Sequence, residues 1–246
     1  MKVRLWNFSS ILSVALSFLG ASNCYGITLG QLSSTSGSIT QGSLLFDNFD
    51  IVSPNNIVEG NALPADVSEI DVKGITSDGN HGLRFTGPFS ATTTDTIRAL
   101  GQYNFFYDVM SLNSNLPMSG IGQSFFVTKS GDATGEIVTR IERPSEPPSE
   151  QLIQLISGAL ETGFVSDSGN FRDLDGTEVM ANSVSVIEFW TFQSSPFVPV
   201  ASDGNIQVDY VDVVFFQQPI PIPGAVWLFG SGLLGMIVIA RRKRAA

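Results

Sequence analysis

Between residues 43 and 216 the chain repeats one pattern: short apolar runs with polar residues at alternate positions, broken by clusters of Gly, Ser, Asn, Asp and Pro. A period of two places successive side chains on opposite faces of an extended strand. On that basis the runs predict strands over Ser43–Phe49, Val67–Thr76, Gly82–Gly87, Ala99–Met110, Ile121–Thr128, Gly135–Glu142, Gln151–Ile156, Ser183–Phe192 and Asn205–Phe216. The last shows the period best. It sets Ile206, Val208, Tyr210, Asp212 and Val214 on one face and Gln207, Asp209, Val211, Val213 and Phe215 on the other. Turn signals at Ser77-Asp78-Gly79-Asn80, Ser130-Gly131-Asp132, Ser168-Gly169-Asn170 and Ser202-Asp203-Gly204 separate the runs at hairpin-like spacing. No convincing helical period is found in this region, although Glu150–Leu160 also reads as a short helix.

Half-apolar strands without crossover helices bury their faces by stacking two sheets. The expected fold is therefore all-β: an antiparallel, jelly-roll-like β-sandwich of eight to ten strands over residues 27–218. The Pro-rich stretch Arg143–Glu150 reads as a long loop within one sandwich, because neither side of it carries enough strands for a separate core.

The two ends follow different rules. Lys2 and Arg4 precede an apolar run, Ile11–Leu19, and the small residues Cys24 and Gly26 flank Tyr25, which predicts a signal peptide over 1–26 with cleavage after Gly26. Cys24 also reads as a lipid-acceptor cysteine, but Ala21 and Asn23 fit that signal poorly. Cys24 is the only cysteine, so the exported part has neither a disulfide nor a thiol nucleophile. At the other end, residues 219–246 join Pro219, Pro221 and Pro223 to an apolar stretch, Gly224–Ala240, and then to Arg241, Arg242, Lys243 and Arg244. Those 17 residues would span about 25 Å as a single transmembrane helix, short of a hydrocarbon core of roughly 30 Å. The cations stay cytoplasmic and leave the sandwich outside. Gly230, Gly232 and Gly235 put small residues on the helix surface for close approach by another helix. Physics alone leaves both a plain anchor and a cleaved sorting signal open.

The string from Pro219 to Ala246, with Trp227–Gly235 as its core, resembles a PEP-CTERM sorting signal of the Pro-Leu-Pro subgroup. That resemblance implies recognition by a membrane-embedded exosortase after transient residence in the inner membrane. Cleavage and delivery to the cell surface or extracellular matrix would follow. Ile222 stands where Glu is usual, which bears on the class of exosortase and the position of the cut. More loosely, Leu45–Phe49 and Gly82–Phe89 resemble the sandwich cargo that often precedes this signal.

Charge narrows the partners. Seven of the 13 basic residues and all 23 acidic residues lie within 27–218, leaving that region at −16. Such a field repels nucleic acid and anionic headgroups. His81 is the sole histidine and sits in a turn-like context, and no serine occupies a Gly-x-Ser-x-Gly elbow, so a Ser-His-Asp relay is disfavoured. No phosphate-binding Gly-rich loop is present. The best candidate calcium turn is Asp173-Leu174-Asp175-Gly176-Thr177-Glu178, where Asp173, Asp175 and Glu178 alternate as oxygen donors, against the plainer reading of an acidic β-turn; Asp47-Asn48-Phe49-Asp50 is weaker still. Trp190, Tyr103, Phe106, Tyr107 and Tyr210 are the aromatics available for a sugar platform, with the core as their default place. The expectation is a noncatalytic structural, adhesive or exopolysaccharide-associated module without a cofactor. The alternative is a secreted carbohydrate-active enzyme or calcium-dependent lectin carrying the same tail.

Overall fold

The computed structural model describes residues 26–52, 57–93, 99–143, 152–173, 175–194 and 204–218, with the backbone alone at 152–159. The signal-peptide residues before Gly26 and the tail from Pro219 onward, with all of its proline, glycine and basic residues, lie outside the described residues. Among the described residues no helix is long and apolar enough to cross a membrane.

The elements in chain order are β1 (Ile27–Thr28), α1 (Leu29–Ser34), β2 (Ile39–Gln41), β3 (Leu44–Ile51), β4 (Ile57–Glu59), β5 (Asp71–Ser77), β6 (Asn80–Thr92), β7 (Leu100–Ser111), β8 (Met118–Ser130), β9 (Thr134–Glu142), β10 (Leu152–Ala159), β11 (Gly163–Asn170), β12 (Ser183–Gln193) and β13 (Asn205–Gln217). They form two antiparallel sheets. The six-stranded sheet has the order β1-β5-β6-β13-β8-β11, and the seven-stranded sheet runs β10-β9-β12-β7-β3-β2 with β4 also on β7. From β6 onward most connections cross from one sheet to the other. This is the expected all-β sandwich, with more strands than eight to ten: β1, β2 and β4 are short additions, whereas β6, β8 and β13 run 13 residues each.

An aromatic cluster joins the sheets. Trp190 of β12 meets Phe85 and Phe89 of β6 and Phe105 of β7 edge-on, with ring centroids 5.4, 5.3 and 5.0 Å away. Edge-to-face pairs of this kind contribute about 0.5–1.5 kcal/mol each beyond their burial. At one end of the sandwich, α1 is held by a capping box between Thr28 and Gln31, and it buries Leu29 and Leu32. This helix departs from the expectation of none; six residues are too few to establish a period.

Of four other expectations, one holds and three change. Val67–Glu69 is a 3-10 turn capped by Asp66, so the strand expected from Val67 begins at Asp71. The segment expected as Gln151–Ile156 is strand β10, Leu152–Ala159, and not the alternative helix. Ser168-Gly169-Asn170, expected as a turn, completes β11. Finally, β13 does not keep one alternation. Ile206 and Val208 are buried, but so are Val211, Val213 and Phe215, because the register slips between Val208 and Val211 against β8. The extra residue of such a bulge moves every later side chain to the other face. Opposite the slip, Gly87 and Pro88 of β6 face Asp209 between the pairs Thr86–Tyr210 and Phe89–Val208. A proline, which has no N–H for the ladder, fits there.

Candidate functional site

The outward face of the six-stranded sheet carries an open depression. It is a trough of about 370 Å³ between the β5–β6 turn, β8, β11 and β13, lined by Ser77, Asp78, Gly122, Ser124, Phe164, Ser166, Ser168 and Val214, with the paired residues Gln123 and Asp167, which belong to the other face by register, at its border. Its shape follows from register. Ser124 pairs with Ser166, Gly122 with Ser168 and Phe126 with Phe164 along β8 and β11, and partners in register share a face. Gly122 keeps the floor low, since a Cβ there would come within 3.0 Å of the Phe216 ring. Phe126 and Phe164 stay 40% and 62% exposed, although most large apolar side chains of β8 and β13 are buried.

Beside the trough, Arg84 donates from Nε and Nη2 to the two carboxylate oxygens of Asp212, both at 2.6 Å. Its guanidinium also lies 4.3 Å from the centroid of the Tyr210 ring. The bidentate bond, with Asp212's charge behind it, raises the Arg84 pKa further. This side chain is therefore a fixed, neutralised part of the face and not a free cation.

The aromatics singled out in the sequence divide. Tyr103, Tyr107 and Trp190 are sealed in the core. Phe106 faces outward on the other sheet, paired with Ile187, and Tyr210 belongs to the trough-bearing face. Phe126 and Phe164 were not singled out. A signal for the first was present: in Phe125-Phe126 a strand must turn one ring outward, and Phe125 is the buried one.

The candidate calcium residues are drawn into local bonds. Asp173 sits 3.5 Å from Arg143, Glu178 accepts from Arg172 at 3.0 Å and from Asn170 at 3.1 Å, and Asp175 accepts from the Thr177 N–H at 2.9 Å, which lowers its pKa. Among the described residues no group of three His, Cys, Asp or Glu side chains converges as a metal site would require. Asp47 and Asp50 flank a bulge in β3 at which Asn48 takes a φ of 51°. Burial, then the charge of its partner Asp108, raises the Asp47 pKa. His81 shares a hydrogen bond of 3.1 Å with Thr76, and its ring packs onto Gly42.

One polar group was not foreseen. Glu188 is fully buried, and its carboxylate accepts from Thr139 at 2.8 Å, the Trp190 indole at 3.0 Å and Tyr107 at 3.2 Å. Loss of hydration pushes its pKa up to about 7 against the pull of those three donors. The Gln123 amide of β8 donates to Thr139 at 2.7 Å, while its oxygen has no partner among the described residues.

No protein-family model matches the chain. No curated protein matches it either. Among solved structures it is similar to the carbohydrate-binding module TmCBM61 in complex with beta-1,4-galactotriose, at 14% identity and a TM-score of 0.28 over 68% of this chain and 90% of that one. It is also similar to the family 11 carbohydrate-binding module from Clostridium thermocellum in complex with a beta-1,3-1,4-mixed-linked tetrasaccharide, at 12% identity and a TM-score of 0.27 over 68% and 96%. The enzymatically active domain of bacteriophage CBA120 tailspike protein 4 is similar at 10% identity and a TM-score of 0.26 over 64% of this chain, which spans 19% of that one. All three are distant likenesses.

Proposed function

We propose that this chain is an exported, noncatalytic surface or matrix module that associates with polysaccharide through the outward face of its six-stranded sheet. The observation that carries this reading is the pair Phe126 and Phe164, in register on neighbouring strands and substantially exposed, with Phe164 lining an open trough beside Ser124 and Ser166 and Phe126 next to it on the same face. Sugar rings offer an apolar C–H face and a rim of hydroxyls. Aromatic rings flanked by small hydroxyl side chains match both.

The noncatalytic part rests on where the reactive groups sit. Glu188, whose raised pKa would suit a general acid, is sealed between the sheets where no glycan can reach it. His81 is engaged with Thr76 and Gly42. Delivery rests on the ends of the sequence. The signal peptide is cut after Gly26, immediately before β1 begins at Ile27. The tail is held briefly in the inner membrane, read by an exosortase and removed.

Retention of the full-length chain, purified in mild detergent, on immobilised glycans with a parallel reducing-sugar assay tests the module. Binding without release of sugar ends is expected, and turnover overturns the noncatalytic reading. Deleting Pro221–Ala246 tests delivery: the domain is expected free in the medium, and an unchanged size and location with and without an exosortase contradicts processing.

A further inference from the structure

Resting on the delivery reading above, we infer that the end of the sandwich around Gln218 rests on the phospholipid interface of the bilayer that holds the tail, with Leu112 and Met180 entering the headgroup layer. The exit of the chain is fixed at that end. The Gln217 side chain accepts from the Ser43 hydroxyl at 2.6 Å and donates to the Leu116 carbonyl at 2.8 Å, and the Gln218 N–H donates to the Pro117 carbonyl at 3.1 Å. The Leu112 N–H donates to the Ser43 carbonyl at 2.8 Å, and Met180 shares a small recess with Gln218, so both residues flank the exit. They are 56% and 49% exposed, and among the described residues only Phe164 is a more exposed large apolar side chain. Exposed apolar groups brought together in this way mark an interaction surface.

Reach and charge choose the occupant. Six peptide units separate Gln218 from Gly224, where the apolar stretch begins, which allows at most about 20 Å between this end and the hydrocarbon of the bilayer. So short a tether makes even a weak contact with the bilayer intramolecular. Residues 112–117 and 180–183 carry no charge, within a region whose net charge is −16. Of the acids in the neighbouring β5–β6 and β11–β12 connections, Asp78 lines the trough, Asp173 and Glu178 are matched by Arg143 and Arg172, and Asp175 bonds within its own turn. An uncharged, partly apolar end suits a phospholipid interface, which the acidic remainder of the domain does not.

Cys24 is the only cysteine, so in the full-length chain with Cys24→Ser a single fluorophore is placed in turn at Leu112→Cys, Met180→Cys, Ser130→Cys and Ser231→Cys. Ser130 is exposed and closes β8 at the opposite end, roughly 40 Å from Met118, while Ser231 lies inside the apolar stretch. In phosphatidylcholine nanodiscs that contain a shallow spin-labelled lipid, the label at 231 should be quenched, and those at 112 and 180 at least about threefold more than the label at 130. With 231 quenched, quenching at 112 and 180 no greater than at 130 overturns the inference and leaves the delivery reading standing. Labels at 112 and 180 that are shielded from aqueous iodide yet untouched by the spin label put a second copy of the chain on this end, and overturn it equally. An unquenched label at 231 keeps the tail out of the bilayer and overturns both.

Discussion

The Thr139 hydroxyl donates to Glu188 Oε2 at 2.8 Å while accepting from the Gln123 amide at 2.7 Å, so one threonine ties a buried acid of the seven-stranded sheet to the facing sheet. Folded Glu188 keeps its proton up to about pH 7, against 4.5 for an ordinary glutamate. Its stabilising share is therefore complete below about pH 4.5 and is lost as pH rises through 7. The change is of order 3 kcal/mol between those limits. Urea denaturation at pH 5 and pH 8 should show the native chain losing stability with rising pH relative to E188Q, in which this component of the slope vanishes. Parallel slopes for the two proteins would count against the buried acid.

Trp190 has two duties, packing three phenylalanines and donating to Glu188. Trp190→Ala should cost about 3–5 kcal/mol in chemical denaturation, the usual range for a deleted core aromatic. Trp190→Phe should cost less but still leave Glu188 one donor short. A loss under about 1 kcal/mol for the alanine variant would mean that the cluster is loosely packed.

Two glycines of the β5–β6 hairpin differ in kind. A Cβ at Gly82 would sit 2.0 Å from the Val213 carbonyl oxygen, a backbone atom that cannot step aside, whereas Gly79 has open space but a φ of 80°. Gly82→Ala should therefore lower the thermal midpoint far more than Gly79→Ala, whose cost is about 1 kcal/mol of backbone strain. The reverse order would contradict the register of β6 against β13.

Asp212 is largely buried and depends on Arg84 for its hydrogen bonds. Arg84→Ala should cost about 1–3 kcal/mol, chiefly through the orphaned carboxylate, and the double change with Asp212→Ala should cost less than the sum. Additive losses in that double-mutant cycle would show the two side chains to be independent.

Strand existence was legible wherever apolar alternation met a turn signal, as at Ser183–Phe192 and Gly135–Glu142. It failed where composition and tertiary pairing disagreed. Gly163–Asn170 is too polar and too rich in Gly, Ser, Asn and Asp to read as a strand, yet it pairs with β8 over its full length as an edge of the sheet. The trough depends on that edge, so it could not be seen in advance; Phe164 was hidden with it. The slip in β13 arises from pairing with β6 and β8 together and leaves no local mark on an otherwise regular alternation. Glu188, by contrast, stood in plain sight on the apolar face shared by Val184, Val186, Trp190 and Phe192.

The central claim is that the outward face of the six-stranded sheet binds polysaccharide, and titration of a neutral β-glucan into the native chain and its F126A/F164A variant tests it most directly. Both rings are substantially exposed, so the variant should keep the native thermal midpoint within a few degrees while its affinity falls by at least about tenfold. Equal affinities for two proteins of equal thermal stability would contradict the account.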